Sequence, residues 1–362
     1  MNSVIEDSPT QYDVIHFEAL GPEAHHLVDE TRKAIQQGLL PANLTFLITP
    51  DTLQAYREKN IAAVLPHLIS IKTHSVIPEE YWKGDYKSII SRSAGYDHVE
   101  HLIGQANIAS LREYCVNAVA QTAIKFIYAT TGMLNQYGLN TLTFERNNSS
   151  AFIELGSHKV LTVFGVGKIG KRIHDLAAAN GLTVQGVDVR QEELSRLYSG
   201  SVRFVTREEA IASSDIMVNA MNLTKNPESM YYNVGYFSKG YLSKNPKKCI
   251  FINVTRGEIA PEDVLLELYL TGRIAGLGLD VFTSESAFAT WLQTRSSQDK
   301  AFDSAYTLIN KALDRSANIY VQPHQGFNSD LAAEAKAVEA IKHVISWYRH
   351  NGSNFDEQLP YY

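Results

Sequence analysis

Three ionisable residues of different types follow three apolar segments in the second half of the chain. Arg256 follows "CIFINVT", Glu285 follows "IAGLGLDVFTS" and His324 follows "IYVQP". A guanidinium can bind a carboxylate through two parallel hydrogen bonds. A histidine can exchange a proton with a neighbouring hydroxyl or carbonyl, and a carboxylate can orient that histidine and stabilise its charged form. Together the three side chains are suited to binding a carboxylate-bearing substrate and exchanging a proton with it.

These residues need a scaffold that brings them together, and the apolar pattern predicts one. Strand-length apolar runs alternate with segments of helical period, which indicates parallel α/β sheets. Because the carboxyl ends of parallel strands meet at one sheet edge, Arg256, Glu285 and His324 are expected to lie there together. The predicted strands fall within residues 44–49, 87–93, 159–165, 182–188, 215–221, 249–254 and 274–281. Predicted helices include 116–136 and 168–180.

A glycine motif, "VLTVFGVGKIGKRI", predicts a dinucleotide site. Gly165, Gly167 and Gly170 end an apolar strand and open a helix. This context suits a tight turn at the first glycine, close approach of a pyrophosphate at the second, and helix–strand packing at the third. Lys168 and Ile169 open the helix whose terminal amides would hold the pyrophosphate. The alternative is a tight strand-to-helix turn without a ligand.

The next predicted strand ends at Asp188, in "GVDVR". A carboxylate at this point can accept hydrogen bonds from the adenosine ribose hydroxyls and would repel a 2′-phosphate, which favours NAD over NADP. Arg190 leaves NADP open, since a guanidinium two residues further on could bind that phosphate.

The length of 362 residues predicts two domains. Residues 117–324 are predicted to form an NAD-binding Rossmann domain. Residues 1–116 and 325–362 would form a discontinuous substrate domain, separated from the NAD-binding domain by a cleft. The segment 329–352 is predicted to be an amphipathic helix that packs on the substrate domain, with Ser329 as N-cap and Gly352 after its last turn.

Composition excludes several classes of protein. A net charge of −6 with scattered cations argues against nucleic acid as a partner. The polar, acidic N-terminus does not resemble a signal peptide, and no apolar run approaches a membrane span. The two cysteines, Cys115 and Cys249, favour a reducing cytoplasm over a structural disulfide. No metal site is expected, because His25 and His26 are adjacent and lack a cluster of further ligands.

The chain resembles the D-isomer-specific 2-hydroxyacid dehydrogenase family, and within it the D-lactate dehydrogenase-like branch. The resemblance rests on motifs that follow the family's order beyond about residue 70, namely "SRSAGYDHVE", "YCVNAVAQ", "VFGVGKIG", "NVTRGEI", "GLGLDVF" and "PHQGF". It implies two Rossmann-like, doubly wound parallel-sheet domains and a catalytic trio of Arg256, Glu285 and His324. It also implies that Asp280 reaches the nicotinamide carboxamide and that Val254 belongs to the cofactor site.

The resemblance further implies a substrate site. The backbone of Ala94 and Gly95 would hold the substrate carboxylate together with Arg256, and Tyr114 and Phe327 would line the pocket. The alternative for the two aromatic residues is ordinary core packing.

The implied function is reversible hydride transfer between NADH and a 2-keto acid such as pyruvate, by a homodimer that binds neither nucleic acid nor membrane. One alternative is a hydroxypyruvate- or glycerate-type dehydrogenase. Another is a non-enzymatic NAD(H)-sensing protein similar to a corepressor. The segment 286–318, an insertion before His324, could be a lid, an interface or a surface feature.

Overall fold

A computed structural model of the protein describes residues 11–83, 87–147, 150–294, 300 and 302–361. By its internal contacts the chain forms two compact units. The first unit comprises Met1–Cys115 and Asn328–Tyr362, and the second comprises Val116–Phe327. Each unit contains one sheet in which every strand pairing is parallel, so the predicted fold class of two parallel-sheet α/β domains is confirmed. The chain passes between the units after Cys115 and Phe327, whereas the predicted boundaries lie after residues 116 and 324.

The sheet of the first unit has five strands in the order β2-β1-β3-β4-β5. These strands are β1 (Val14–His16), β2 (Phe46–Ile48), β3 (Leu68–Ile71), β4 (Ser88–Ser91) and β5 (Asn107–Ser110). Every residue of β3, β4 and β5 is buried. Burial on both faces of a parallel sheet explains why apolar residues stand side by side in the middle of β4 and β5, as Ile89 and Ile90 do, rather than alternating with polar ones.

The sheet of the second unit has six strands in the order β11-β10-β9-β8-β6-β7. They are β6 (Val160–Phe164), β7 (Thr183–Val187), β8 (Ile216–Asn219), β9 (Cys249–Asn253), β10 (Ile274–Leu279) and β11 (Ile319–Val321). The chain runs from β6 to β7 on one side and then crosses to β8 on the other side of β6. Ligands of such sheets bind outside the carboxyl ends of the strands at this reversal, which is where the glycine motif lies.

Helices connect the strands in both units. In the first unit they are α1 (Gly21–Gln36), α2 (Leu53–Lys59) and α3 (Glu79–Trp82). In the second unit they are α4 (Val116–Thr131), α5 (Leu134–Asn140), α6 (Lys168–Ala179), α7 (Gln191–Leu197), α8 (Arg207–Ser213), α9 (Lys239–Leu242), α10 (Glu262–Leu270), α11 (Glu285–Thr294) and α12 (Asp303–Leu313). The chain returns to the first unit as α13 (Ala332–Arg349).

The predicted helix 116–136 is wrong beyond residue 131. Helix α4 ends at Thr131, and Met133 has a left-handed backbone with φ of 50° before α5 starts. The hydroxyls of Thr130 and Thr131 donate to the carbonyl oxygens of Phe126 and Ile127, at 2.7 Å in each case. Such bonds from threonine back to the preceding turn weaken or bend the end of a helix.

The C-terminal helix packs on the first unit as predicted, but its start is different. Its N-cap is Leu331, whose side chain makes no capping bond, so the assignment of Ser329 as N-cap is wrong. Residues 329–331 instead form a turn in which the carbonyl oxygen of Ser329 accepts the amide hydrogen of Ala332. Apolar residues of α13 share one buried cluster with residues of α1, among them Leu27, Ala34, Ala337, Ala340 and Val344.

The described part of the insertion 286–318 is built into the second unit. Phe288 and Leu308, on α11 and α12, are buried in the main hydrophobic cluster of this unit. The rings of Trp291 and Phe302 lie 6.0 Å apart between them. Residues 295–299 and 301 lie outside the described residues. Aromatic packing therefore anchors both helices of the insertion to the core.

In the parts of the chain that the structure describes, every helix is too short or too polar to cross a bilayer. Cys115 and Cys249 are buried free thiols. Burial raises the pKa of the Cys115 thiol to about 11 and that of the Cys249 thiol to about 12.

Candidate active site

The glycine turn after β6 is closely packed at both ends and open in the middle. Gly165 has φ of 84°, and a Cβ there would lie 2.7 Å from the Cα of Met221. Gly170, in the first turn of α6, lies against the carbonyl oxygen of Gly165. Gly167 is the N-cap of α6, and a Cβ added to it would meet no described atom within 4 Å. With Lys168 and Ile169 as the first residues of the helix, the turn fits the pyrophosphate of a dinucleotide.

Asp188 and Tyr198 hold this turn from outside. The Val166 amide donates to Asp188 Oδ2 at 2.7 Å, and the Tyr198 hydroxyl donates to the Val166 carbonyl oxygen at 3.0 Å. The Arg190 amide donates to Asp188 Oδ1 at 2.9 Å. An ionised carboxylate has about four acceptor positions, so Asp188 keeps capacity for ribose hydroxyls beside these two bonds.

His324 and Glu285 are in direct contact although the insertion separates them in sequence. His324 Nδ1 lies 2.7 Å from Glu285 Oε2, and the two side chains are 35% and 37% exposed. Glu285 opens α11, and its Oε1 accepts the amide hydrogen of Phe282 at 3.2 Å. A carboxylate bound at Nδ1 leaves Nε2 as the nitrogen that can exchange a proton with a ligand.

Arg256 follows β9, which pairs with β10, and β10 pairs with β11. Its side chain is partly buried, and its Nη1 donates to the carbonyl oxygen of Thr255 at 2.8 Å. The chain then enters a short 3₁₀ helix, Gly257–Ile259. Arg256, Glu285 and His324 thus follow three adjacent strands at the carboxyl edge of one sheet.

Asp280 builds the turn that carries His324. The residue is 1% exposed, and its carboxylate accepts hydrogen bonds from Gln322 Nε2 at 2.7 Å, the Gln325 amide at 2.8 Å and the Gly326 amide at 2.9 Å. A Cβ at Gly326 would lie 2.4 Å from Asp280 Oδ2, so only glycine allows this approach. Burial raises the pKa of Asp280 above its usual value.

The backbone of His324 is itself unusual. It has φ of 50°, and its amide donates to the Asp280 carbonyl oxygen at 2.6 Å. Left-handed backbone at a residue other than glycine costs free energy and persists where the surroundings impose it, often at functional sites. The ring of Phe327 meets that of His324 edge-on, with 6.2 Å between centroids.

The remaining predicted residues divide between the units. Val254 is 4% exposed in the second unit, and its amide points at the Asn219 carbonyl oxygen at 3.5 Å. Ala94, Gly95 and Tyr114 belong to the first unit. Ala94 and Gly95 are half-buried after β4. The Lys336 ammonium lies 4.8 Å from the centroid of the Tyr114 ring, and burial raises the pKa of that tyrosine well above its usual value.

Residues 132–326 match the family model described as D-isomer specific 2-hydroxyacid dehydrogenase, NAD binding domain, which is more than half of the 362 residues. The chain belongs to this family. Its second unit therefore contains the NAD-binding domain of a D-isomer-specific 2-hydroxyacid dehydrogenase, and the glycine turn lies inside the matched region.

Curated proteins of this dehydrogenase family match part of the chain. The chain is 35% identical over 129 residues to a D-3-phosphoglycerate dehydrogenase of Bacillus subtilis, covering 35% of this chain and 23% of that protein. It is 25% identical over 210 residues to a glycerate dehydrogenase of Methylorubrum extorquens, covering 56% of this chain and 62% of the relative. The chain thus spans less than two thirds of the length of these relatives.

Solved structures support the fold over nearly the whole chain. A D-lactate dehydrogenase from Aquifex aeolicus, complexed with NAD and lactic acid, superposes with a TM-score of 0.74 at 20% identity and covers 95% of this chain and 98% of that one. A D-isomer specific 2-hydroxyacid dehydrogenase from Lactobacillus delbrueckii in its NAD-complexed form gives 0.72 at 17% identity, with 94% and 97% covered. At these identities the similarity concerns the fold alone.

Several residues that shape this site escaped prediction from the sequence, namely Tyr198, Asn219, Asn253 and Gln322. Asn219 and Asn253 end the apolar strands β8 and β9 and are 0% and 1% exposed. A polar residue that closes an otherwise apolar strand was the available signal, because a buried amide needs hydrogen-bond partners. In the described ranges, no three histidine, cysteine, aspartate or glutamate side chains are grouped as metal ligands.

Proposed function

We propose that the protein is an NAD-dependent D-2-hydroxyacid dehydrogenase that interconverts a 2-keto acid and its D-2-hydroxy acid. The observation that carries the proposal is the 2.7 Å contact between His324 Nδ1 and Glu285 Oε2. It lies at the carboxyl edge of the sheet whose first strand ends in the glycine turn, with Arg256 after the neighbouring strand. This combination supplies a proton donor with an orienting carboxylate, a substrate anchor and a dinucleotide site.

Each side chain has a distinct task in this mechanism. Bound NADH supplies the hydride that reduces C2 of the keto acid. The Arg256 guanidinium binds the substrate carboxylate, and the backbone of Ala94 and Gly95 assists it. Protonated His324 donates from Nε2 to the carbonyl oxygen, while Glu285 stabilises the imidazolium. In the oxidative direction His324 accepts the hydroxyl proton instead.

NAD rather than NADP is the proposed cofactor because Asp188 lies beside the glycine turn. Its carboxylate is held in place by the Val166 and Arg190 amides and would repel a 2′-phosphate. The Arg190 guanidinium lies 3.4 Å from Glu193, an acidic neighbour that competes with a phosphate for it. The proposed roles of Val254 and Asp280 at the nicotinamide belong to the same binding mode.

The proposed substrate is pyruvate or a related acid, with Tyr114 and Phe327 lining the pocket. Curated relatives include glycerate dehydrogenase and glyoxylate reductase/hydroxypyruvate reductase, so hydroxypyruvate is the second candidate. Initial rates of NADH oxidation with pyruvate, hydroxypyruvate, glyoxylate and 4-methyl-2-oxopentanoate distinguish these. Absence of turnover with all of them, together with tight NADH binding, would favour a cofactor-sensing protein.

Replacing His324 tests the proposed chemistry. We expect His324→Ala to keep NADH affinity within about twofold and to lower kcat by about 10²- to 10⁴-fold, the usual contribution of general acid–base catalysis. The matched control is His158→Ala, which changes an exposed histidine of the same unit and should leave kcat unchanged. Near-normal turnover by His324→Ala with a substrate of the wild-type protein would contradict the mechanism.

We also propose a homodimer that forms through the second unit. Large apolar side chains are exposed on and after α5, with Leu142 at 84%, Phe144 at 75% and Phe152 at 56% exposure. Large apolar side chains that are exposed close together in the sequence favour an interface between subunits at this segment. Light scattering on the purified protein measures the mass directly. Two reduced, buried thiols fit the proposed cytoplasmic location, which cell fractionation would test.

A further inference from the structure

A buried amide network underlies the turn that carries Arg256. Asn219 closes β8 and is level with Asn253 at the end of β9. Asn219 Nδ2 donates to Asn253 Oδ1 and to Thr255 Oγ1, both at 2.9 Å. Both asparagines are buried, so these bonds are formed away from solvent.

The network continues to the arginine itself. Asn253 Nδ2 donates to the carbonyl oxygen of Arg256 at 3.0 Å, and the Thr255 amide donates to Asn253 Oδ1 at 3.3 Å. The Arg256 guanidinium in turn donates to the Thr255 carbonyl oxygen. Asn219 therefore holds the two residues, Asn253 and Thr255, that fix both the backbone and the side chain of Arg256.

The other end of the same amide reaches toward the glycine turn. Asn219 Oδ1 accepts the amide hydrogen of Met221 at 3.2 Å. The backbone of Ala220 and Met221 lies against Gly165, where a Cβ would be 2.7 Å from the Met221 Cα. One side chain thus ties the backbone beside the predicted pyrophosphate turn to the backbone of the predicted substrate anchor.

Packing alone does not explain an asparagine here. The other residues of β8 are Ile216, Met217 and Val218, all buried, and an apolar residue would fill the same place without the cost of burying an amide. A fully bonded buried polar network makes the local structure more specific and more rigid. The network around Asn219 therefore makes the turn that carries Arg256 more rigid.

We propose that Asn219 is a positioning residue for Arg256, and that it sets the affinity for the substrate carboxylate. The inference rests on the proposed function, in which Arg256 binds that carboxylate. Loss of the Asn219 amide would free Thr255 and Asn253 to shift, and the guanidinium would no longer be held in its binding orientation.

The test compares Asn219→Leu with Asn245→Leu. Asn245 is also a buried amide of the second unit, with its Nδ2 donating to the Ser214 carbonyl oxygen at 3.0 Å and its Oδ1 accepting the Lys247 amide hydrogen at 2.8 Å. It precedes β9 and so lies at the opposite end of that strand from Arg256. Both variants lose a buried amide, but only Asn219→Leu should affect the arginine turn.

Three measurements distinguish a positioning role of Asn219 from a general loss of stability. For Asn219→Leu we expect KM for the keto acid to rise about tenfold while kcat falls by less than about threefold, because binding in the ground and transition states weakens together. NADH affinity should change by less than about threefold. Amide hydrogen exchange in residues 253–258 should accelerate in Asn219→Leu and stay unchanged in Asn245→Leu.

Thr255→Val is the milder variant to use if Asn219→Leu does not fold. It removes only the hydroxyl that accepts from Asn219, and we expect a smaller rise in KM with the same lack of effect on NADH affinity. In the double variant the two rises should not multiply, since both changes break the same bond.

An unchanged KM and unchanged exchange in Asn219→Leu would overturn the inference, as would an equal rise of KM in Asn245→Leu. If the wild-type protein reduces none of the keto acids, the proposed function fails. Amide hydrogen exchange then becomes the deciding measurement. Equal protection of residues 253–258 in the wild type, Asn219→Leu and Asn245→Leu would overturn the inference.

Discussion

The two units have charged side chains at the same edge of similar parallel sheets, yet they use them in opposite ways. In the first unit Arg92 follows β4 and its side chain is fully buried. Arg92 donates to Glu23 at 2.9 Å, to Ser70 Oγ at 2.7 Å and to the carbonyl oxygen of Phe17. In the second unit Arg256 is only partly buried, and Glu285 and His324 are more than one third exposed.

Internal neutralisation accounts for the difference. Glu23 pairs with both Arg92 and Lys72, the latter at 2.5 Å. Burial acts to raise the pKa of Glu23, but the charges of Arg92, Lys336 and Lys72 outweigh it and keep the pKa below its usual value. The first unit thus buries its paired charges, whereas the Glu285–His324 pair of the second unit remains accessible to a ligand. Exposure, rather than position on the sheet, distinguishes the fully buried Arg92 from Arg256, the proposed substrate anchor.

Exchanging each arginine for methionine should give opposite results, and this is the largest expected effect. Arg92→Met leaves Glu23 buried without its main partner, so the free energy of unfolding should fall by about 3–5 kcal/mol. Arg256→Met should lower the free energy of unfolding by less than about 1 kcal/mol. It should nevertheless reduce kcat/KM for the keto acid by at least about 10²-fold. Denaturant unfolding and steady-state kinetics on both variants measure these outcomes.

The double variant Arg92→Met with Glu23→Leu is the control for the buried pair. Removing both charges should restore only part of the stability that Arg92→Met loses, because the buried carboxylate is gone but Lys72 and the buried Lys336 lose their interaction with it. Wild-type stability of Arg92→Met, or a large loss of stability in Arg256→Met, would remove the distinction between the two arginines.

Much of the sheet and the candidate site of the second unit could be predicted from short stretches of the sequence. The apolar runs that became β6–β10 and the glycine turn between β6 and α6 were readable because strand composition and turn chemistry are encoded within a few residues. The order of Arg256, Glu285 and His324 after successive strands predicted a shared sheet edge. The contact of Glu285 with His324 across the insertion could not be predicted, since it depends on how α11 and α12 pack on the core.

Other features depend on neighbours distant in sequence and could not be predicted. The end of α4 is different, because Gly132, directly after Thr131, is a local stop signal that the helix prediction overran. The burial of Arg92 depends on Glu23, which is 69 residues away. The resemblance implies that Asp280 reaches the nicotinamide, but its hydrogen bonds to Gln322, Gln325 and Gly326 could not be read from the sequence, because these residues follow a different strand.

Asp280 gives a further test of the comparison between the units, because it is a buried carboxylate in the unit whose Glu285 and His324 are accessible. Asp280→Asn keeps the size but replaces one acceptor oxygen with an NH₂ group, which would face the Gly326 amide in either orientation of the side chain. We expect the His324 turn to loosen and kcat to fall about 10- to 100-fold, with stability reduced by about 1–3 kcal/mol. Steady-state kinetics and thermal unfolding measure both changes.

Asp303→Asn is the matched control, since Asp303 is an exposed aspartate of the same unit. Its kcat should stay at the wild-type value. If Asp280→Asn keeps full kcat and instead loses only NADH affinity, Asp280 acts on the cofactor rather than on the turn that carries His324.

The smallest expected effect concerns the histidines that the first unit buries without charge. Burial, reinforced by Arg92, lowers the pKa of His16 to about 3, and burial, reinforced by Lys342, lowers that of His343 to about 4. In the unfolded chain both would bind a proton below about pH 6.5, whereas the folded unit does not until far lower pH. The unfolded state therefore binds more protons between about pH 6.5 and pH 4, and stability falls as pH falls through this range.

The variant His343→Gln isolates one of these groups, because glutamine does not titrate. Between pH 7.5 and pH 5.5 each histidine should cost the wild-type protein about 1.4 kcal/mol of unfolding free energy, and the variant should lose that much less over the same interval. Denaturant unfolding at the two pH values measures the difference. If the wild type and the variant lose the same unfolding free energy over this interval, His343 becomes protonated in the folded unit. The first unit would then have a charged group accessible to solvent, as the second unit does.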